Sequence, residues 1–243
     1  MTKSRPYSAD FFDLQLRFAA RVAAVSGLLF FDAVGSYTNL YVRLAMGPCL
    51  DVTNPEWLTY FAGMTKASDP RGWTHQVHRQ RLHLPVGTPS EESVGCFSYA
   101  RAGPGLVRLH FNTGDDLHDS PLSDANQSTR QGELAALLAR LKAWSGDSVR
   151  VLGASWLYNL SSYRRLFPEP YLAGLRPIEH PYQRMPLWGQ FLNRDRTVRP
   201  QVGPQFLADI ANASSLTELA ACFPYSVLAT SAPAQCLYEH LGY

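Results

Sequence analysis

Lysine is nearly absent from this chain of 243 residues: only Lys3, Lys66 and Lys142 occur, and every other basic residue is arginine. No charge sign dominates. Lys+Arg 22 against Asp+Glu 20 gives a net charge of +2, too little for a dedicated polyanion-binding or membrane-surface protein. Charged residues are only 17%, below the usual level of about 25%. With 46% hydrophobic residues the chain can bury a core, which excludes wholesale disorder. No apolar run approaches the ~18–20 residues of a membrane span. No apolar segment follows Lys3 and Arg5, so a secretory signal is not expected. The four cysteines, Cys49, Cys96, Cys222 and Cys236, include no C-x-x-C pair, which argues against a zinc knuckle or a dithiol redox motif. They read as free thiols acting as small hydrophobes, and the expected compartment is cytoplasmic.

What is present is a change of period along the chain. Leu14, Phe18, Val22 and Val25 form a helical stripe that Gly27 is placed to cap. A second stripe, Phe30, Val34, Tyr37, Tyr41 and Leu44, runs to Gly47-Pro48. Asn54 with Pro55 marks the start of a third helix, carrying Trp57, Tyr60, Phe61 and Met64 inward. Asp69-Pro70-Arg71-Gly72 reads as a turn and as the one candidate boundary. Beyond it, Val77, Leu82, Leu84 and Val86 fit a strand imperfectly. Val94 to Arg101 and Leu106 to Phe111 flank Gly103-Pro104-Gly105 as a hairpin. Ser128 is expected to cap a helix with Leu134, Leu137, Leu138 and Leu141 on its stripe and Gly146 as its stop. A strand over Ser148 to Leu157, a short helix at Tyr163 to Leu166 and a strand over Arg184 to Leu192 follow. Ser215 to Cys222 and Pro233 to Leu241 read as helices. The expected fold class is α+β, an antiparallel-rich sheet flanked by helices. It divides into an N-terminal helical portion, 1–72, and a mixed domain, 73–243.

Several clusters carry residue types capable of chemistry. His75, His78 and His83 lack the intervening acid of an H-E-x-x-H site, so solvated or hydrogen-bonded histidines are the better reading. Asp115, Asp116, His118 and Asp119 offer hard ligands in one loop, but their spacing is no EF-hand, and no metal is expected. Gly153-Ala154-Ser155-Trp156-Leu157 lacks the closing glycine of a nucleophile elbow. Trp156 is expected to be core. Between Tyr163 and Arg199, arginines interleave with aromatics, a texture suited to an anionic ligand with a flat group. Arg164, Arg165, Arg184 and Arg194 should converge on a cleft if that is their use. Nucleic acid is not favoured.

Residues 94–192 resemble the later part of the GCN5-related acetyltransferase (GNAT) fold. The likeness rests on the hairpin ending in Val107-Arg108-Leu109-His110-Phe111, the leucine-rich helix, and Gly-Ala-Ser-Trp-Leu leading to Tyr158-Asn159 and Tyr163. The resemblance implies an acyltransferase that takes acyl-CoA, or another acyl thioester, as co-substrate and passes the acyl group to a small-molecule amine or hydroxyl. In that family the strands before and after the helix splay apart, and the pantetheine arm enters between them. The strands holding Leu109 and Val151 should therefore separate at their C-terminal ends. By the same likeness Tyr163 protonates the leaving thiolate and Asn159 holds the donor arm. The likeness also implies that backbone N–H groups near His110 or Phe111 face the carbonyl oxygen. The family's glycine-bearing pyrophosphate segment is not found. Ser128, Thr129 and Arg130 stand at that helix start instead, with Arg164 as a further cation. A second echo, Ala232 to Tyr243, has Ser231 where the family carries asparagine and reads better as an amphipathic helix. The alternatives are a non-catalytic binding module for an anionic ligand or nucleic acid, and a partner-binding protein presenting Phe30, Tyr37 and Tyr41.

Overall fold

A computed structural model describes residues 5–85, 90–112, 120–145, 148–179 and 182–242. The apolar period of the first portion yields α1 (Ala9–Ser26), α2 (Phe30–Tyr37), α3 (Leu40–Arg43), α4 (Pro55–Lys66) and α5 (Pro70–Gln80). Three strands follow, β1 (Glu92–Val94), β2 (Phe97–Gly103) and β3 (Leu106–Phe111), then α6 (Gln127–Ser145) and β4 (Arg150–Ser155). Two short helices, α7 (Ser161–Arg164) and α8 (Glu169–Leu172), lead to the two-residue β5 (Arg176–Pro177). Next come α9 (Met185–Trp188), α10 (Val202–Asn212), α11 (Leu216–Ala221), β6 (Leu228–Pro233) and α12 (Ala234–His240). The fold class is α+β, with one six-stranded sheet in the order β1-β2-β3-β4-β6-β5. All its pairings are antiparallel except β3 with β4.

Local signals account for the elements that match expectation. Gly27 takes φ 74° and its N–H bonds back to Ala23 O at 3.0 Å, the left-handed cap of α1. Asn54 accepts from the N–H groups of Glu56 and Trp57, with Pro55 at the first helical position of α4. The same chemistry corrects the expected turn at Asp69. Its side chain accepts from Gly72 N–H, Pro70 opens α5, and the segment thought to be extended is helix through Gln80. An Asp-Pro pair serves a turn and a helix start equally well. The expected strand over Arg184 to Leu192 is α9 followed by a 3-10 turn at Gly189–Phe191. α6 begins at Gln127 after a 3-10 turn at Asp124–Asn126, so Ser128 lies inside the helix instead of capping it. Gly146 lies outside the described residues.

The chain divides into two units, and neither is continuous in sequence. The division expected at Gly72 falls inside α5. One unit comprises Met1–Thr88 with His180–Pro224, whose named elements among the described residues are all helices. Its core is aromatic: Phe18, Trp188, Phe191, Phe206 and Phe223 pack ring against ring, and Trp57 stacks on Tyr60 at 5.2 Å. Tyr41 is buried there, Tyr37 packs on Tyr182 and Phe30 on Phe61. Of the three rings expected to be offered to a partner, Tyr41 is buried, and Phe30 and Tyr37 are half-buried.

The second unit, Pro89–Glu179 with Tyr225–Tyr243, holds the whole sheet. The expected hairpin is present, β2 with β3 from Phe97↔Phe111 to Gly103↔Leu106. Side chains alternate between sheet faces, so Val107, Leu109 and Val151 share one buried face. They join one core with Leu134, Leu137, Leu138 and Leu141 of α6 and Leu237 of α12. β6 lies between β4 and β5, pairing with β4 from Arg150↔Pro233 to Ser155↔Leu228.

Candidate functional site

The parallel pair is where the sheet opens. β3 and β4 pair from Leu106↔Arg150 to Leu109↔Gly153 and no further, although β3 runs on to Phe111 and β4 to Ser155. Asn112 N–H donates to Cys96 O at 2.7 Å, on the β2 side. Backbone donors alternate along a strand, so the N–H of Phe111 points to the β4 side. It lies beyond the last rung. A fork is the result, with one backbone donor facing into it.

The fork is walled by aromatic side chains. Phe111 shares its sheet face with Leu109, and its ring lies 5.4 Å from that of Tyr163. Tyr163 projects from α7 and also meets Tyr158 at 5.0 Å and Phe167 at 5.1 Å; it is 3% exposed. Burial raises its phenol well above the ordinary tyrosine range, and Tyr171 adds to the rise. Burial therefore favours the protonated phenol and makes it a weaker acid than an exposed tyrosine. Tyr158, in the 3-10 turn Trp156–Asn159, bonds hydroxyl to hydroxyl with Tyr171 of α8 at 3.0 Å. Both hydroxyls press on Gly153 of β4, where an added Cβ would lie 2.0 Å and 2.4 Å from them. Thr230 of β6 holds the carbonyl of Tyr171 in turn.

The other expected site residues are dispersed. Asn159 is exposed, and its Nδ2 donates to Trp156 O at 2.7 Å and Ser226 O at 2.9 Å, tying the turn to the approach of β6. Its amide donors are thus already engaged. His110 lies on the sheet face opposite Phe111, half-buried, its imidazole pKa lowered by burial and by the Arg108 guanidinium. Ser128 and Thr129 are exposed on the first turn of α6. Arg130 turns inward: it is 4% exposed, pairs with Glu133 at 2.9 Å and reaches Cys96 Sγ. Glu133 also accepts from Cys96 N–H at 2.9 Å. Arg130 is a strut between α6 and the β1–β2 turn, not a cation offered to a phosphate.

Arg164 is exposed with no carboxylate partner among the described residues, whereas its neighbour Arg165 pairs with Asp124. Arg184 and Arg194 belong to the helical unit, so the four arginines do not share one element group. Trp156 is half-buried on the 3-10 turn and stacks on Tyr225 at 5.6 Å, outside the core. The acidic loop at Asp115, Asp116, His118 and Asp119 lies outside the described residues. Sequence reasoning passed over Tyr158, Tyr171 and Gly153. A glycine inside a strand, followed within twenty residues by three tyrosines, is the available signal for a close approach.

Comparison with family models, curated proteins and solved structures finds no match for this chain.

Proposed function

We propose that the sheet-bearing unit is a GNAT-like acyltransferase that moves an acyl group from acyl-CoA, or another acyl thioester, to an amine or hydroxyl acceptor. The observation that carries this reading is the fork. β3 and β4 are parallel, joined through α6, and unpaired beyond Leu109 and Gly153. A pantetheine arm needs such an interruption, because a complete ladder leaves no backbone group to bind it. The thioester oxygen would accept from Phe111 N–H, and Tyr163 stands on the same face as the acid for the leaving sulfur. Admission of the donor requires the Phe111 and Tyr163 rings to part. Asn159 and Arg130 are released from the roles the resemblance gave them, since both are engaged elsewhere. Arg164 remains as the exposed cation nearest in sequence to Tyr163.

Thermal unfolding with coenzyme A tests the reading. Ligand at ten times its Kd contributes about 1.4 kcal/mol, or roughly 3–6 °C in Tm. Arg164→Ala should abolish that rise and leave the unliganded Tm unchanged, and Arg164→Lys should weaken it, since an ammonium lacks the bidentate fork. No rise with coenzyme A or acetyl-CoA at millimolar concentration would overturn the reading.

A further inference from the structure

Residues 5–8 lie ahead of α1 without regular structure, yet they are tied to three other parts of the helical unit. Tyr7 N–H donates to His78 Nε2 of α5 at 3.2 Å, and the Tyr7 hydroxyl accepts from Arg43 Nη1 of α3 at 3.1 Å. In the turn at 193–197, Arg196 O accepts from Ser8 N–H at 3.1 Å, and Arg196 Nη1 donates to Arg5 O at 2.6 Å. Two guanidiniums lie over the Tyr7 ring, Arg196 at 5.0 Å and Arg43 at 5.9 Å from its centroid. Arg196 takes φ 65°, a left-handed conformation that favours glycine, and its contacts with this segment offset the strain. Ser8, the N-cap of α1, makes no side-chain cap bond, so the segment can lift away without breaking a cap. The packing of Phe18 with Trp188, Phe206 and Phe223 involves none of these residues.

The fastening is a ring that has to stay neutral. His78 Nδ1 lies 3.1 Å from Arg43 O and so carries the hydrogen, while Nε2 accepts from Tyr7. A proton added at Nε2 sets N–H against N–H. The charged groups that act on the ring oppose that proton too: Arg43 from α3, Arg196 from the turn and His75 from α5. From α1 comes the Phe12 ring, 5.0 Å away, while Asp10 pairs with Arg71 at 3.2 Å and Asp195 of the turn accepts from Thr197. Among the described residues no carboxylate pairs with His78. We propose that residues 5–8 form an acid-released strap: protonation of His78 expels Tyr7 from its seat while the helical unit behind it stays folded. Release uncovers the two guanidiniums and the Phe12 ring that Tyr7 packs against. The unfastened ring takes its proton near pH 6.5 and the fastened one only near pH 4. Opening therefore grows about tenfold for each unit of pH lost between the two.

Amide hydrogen exchange followed by NMR between pH 6.5 and 4.5, each rate compared with that of an unstructured peptide at the same pH, tests the strap. The expected result is a fall of about a hundredfold in the protection of the Tyr7 amide, with Val22 of α1 better protected at every pH. In His78→Gln, whose amide oxygen accepts a hydrogen bond and does not titrate, Tyr7 protection should hold level. If that variant does not fold by circular dichroism, His78→Asn takes its place with the same expectation. Three results each overturn the proposal. They are a Tyr7 protection that ignores pH in the native protein, one that falls equally in the variant, and one that matches Val22 at each pH.

Discussion

His78 shows how a single side chain can tie acidity to stability. It is 4% exposed, its Nε2 accepts from Tyr7 N–H at 3.2 Å, and its Nδ1 donates to Arg43 O at 3.1 Å. Those bonds require the neutral ring. Burial, His75 and the Arg43 and Arg196 guanidiniums lower its pKa from 6.5 to about 4, against the pull of the Arg43 carbonyl. The unfolded chain therefore binds this proton more readily than the folded one. Its contribution is whole above pH 6.5 and drains away as pH falls towards 4, by about 3 kcal/mol in all. Urea unfolding between pH 7 and 4 should show a steeper loss in the native protein than in His78→Asn. Parallel profiles would mean that His78 titrates as an ordinary histidine. The helix period could have placed this residue inward, but Gln-Val-His-Arg-Gln-Arg reads as polar on every side, and the pairing with Tyr7 joins residues far apart in sequence.

At the level of elements, α6 and the β2–β3 hairpin were legible because short-range rules decide them. Four leucines at helical spacing made the stripe that is now buried, and Gly103-Pro104-Gly105 joined two β-rich runs. Misreadings arose where one pattern served two structures. Arg184 to Leu192 alternates for too few residues to separate a strand from a helical turn. β6, Leu-Ala-Thr-Ser-Ala-Pro, went unseen because small residues carry little strand signal; the narrow space beside Gly174 and Tyr171 is what they fit. Of the site, the pairing of β3 with β4 stops at Leu109 and Gly153, while Asn159 and Arg130 took up structural bonds that no spacing announces. Trp156 was expected in the core and sits at its margin, so Trp156→Ala should cost only about 1–2 kcal/mol, its stacking on Tyr225. Leu138→Ala in α6, by contrast, empties a 1% exposed position and should cost about 2–5 kcal/mol. Chemical denaturation of the two variants side by side checks the ranking, and an equal cost would show that Trp156 belongs to the core after all.

The molecule as a whole is woven from segments that sequence order does not reveal. Each unit takes in two stretches of chain, and a reader of the sequence sees only neighbours along it. The sheet depends on the later stretch, because among the described residues β5 pairs only with β6, which also carries the far side of β4. Ending the chain after Pro224 should therefore unfold the sheet-bearing unit, with loss of hydrogen-exchange protection at Val107 and Val151. Persistent protection there would show that β1 to β4 and α6 suffice. The interior place of β6 also bears on how the protein is born. A ribosome delivers β4 and β5 first, then α9, α10 and α11, and only afterwards the strand that belongs between them. Until it emerges, the edge of β4 waits open, an invitation to another nascent chain.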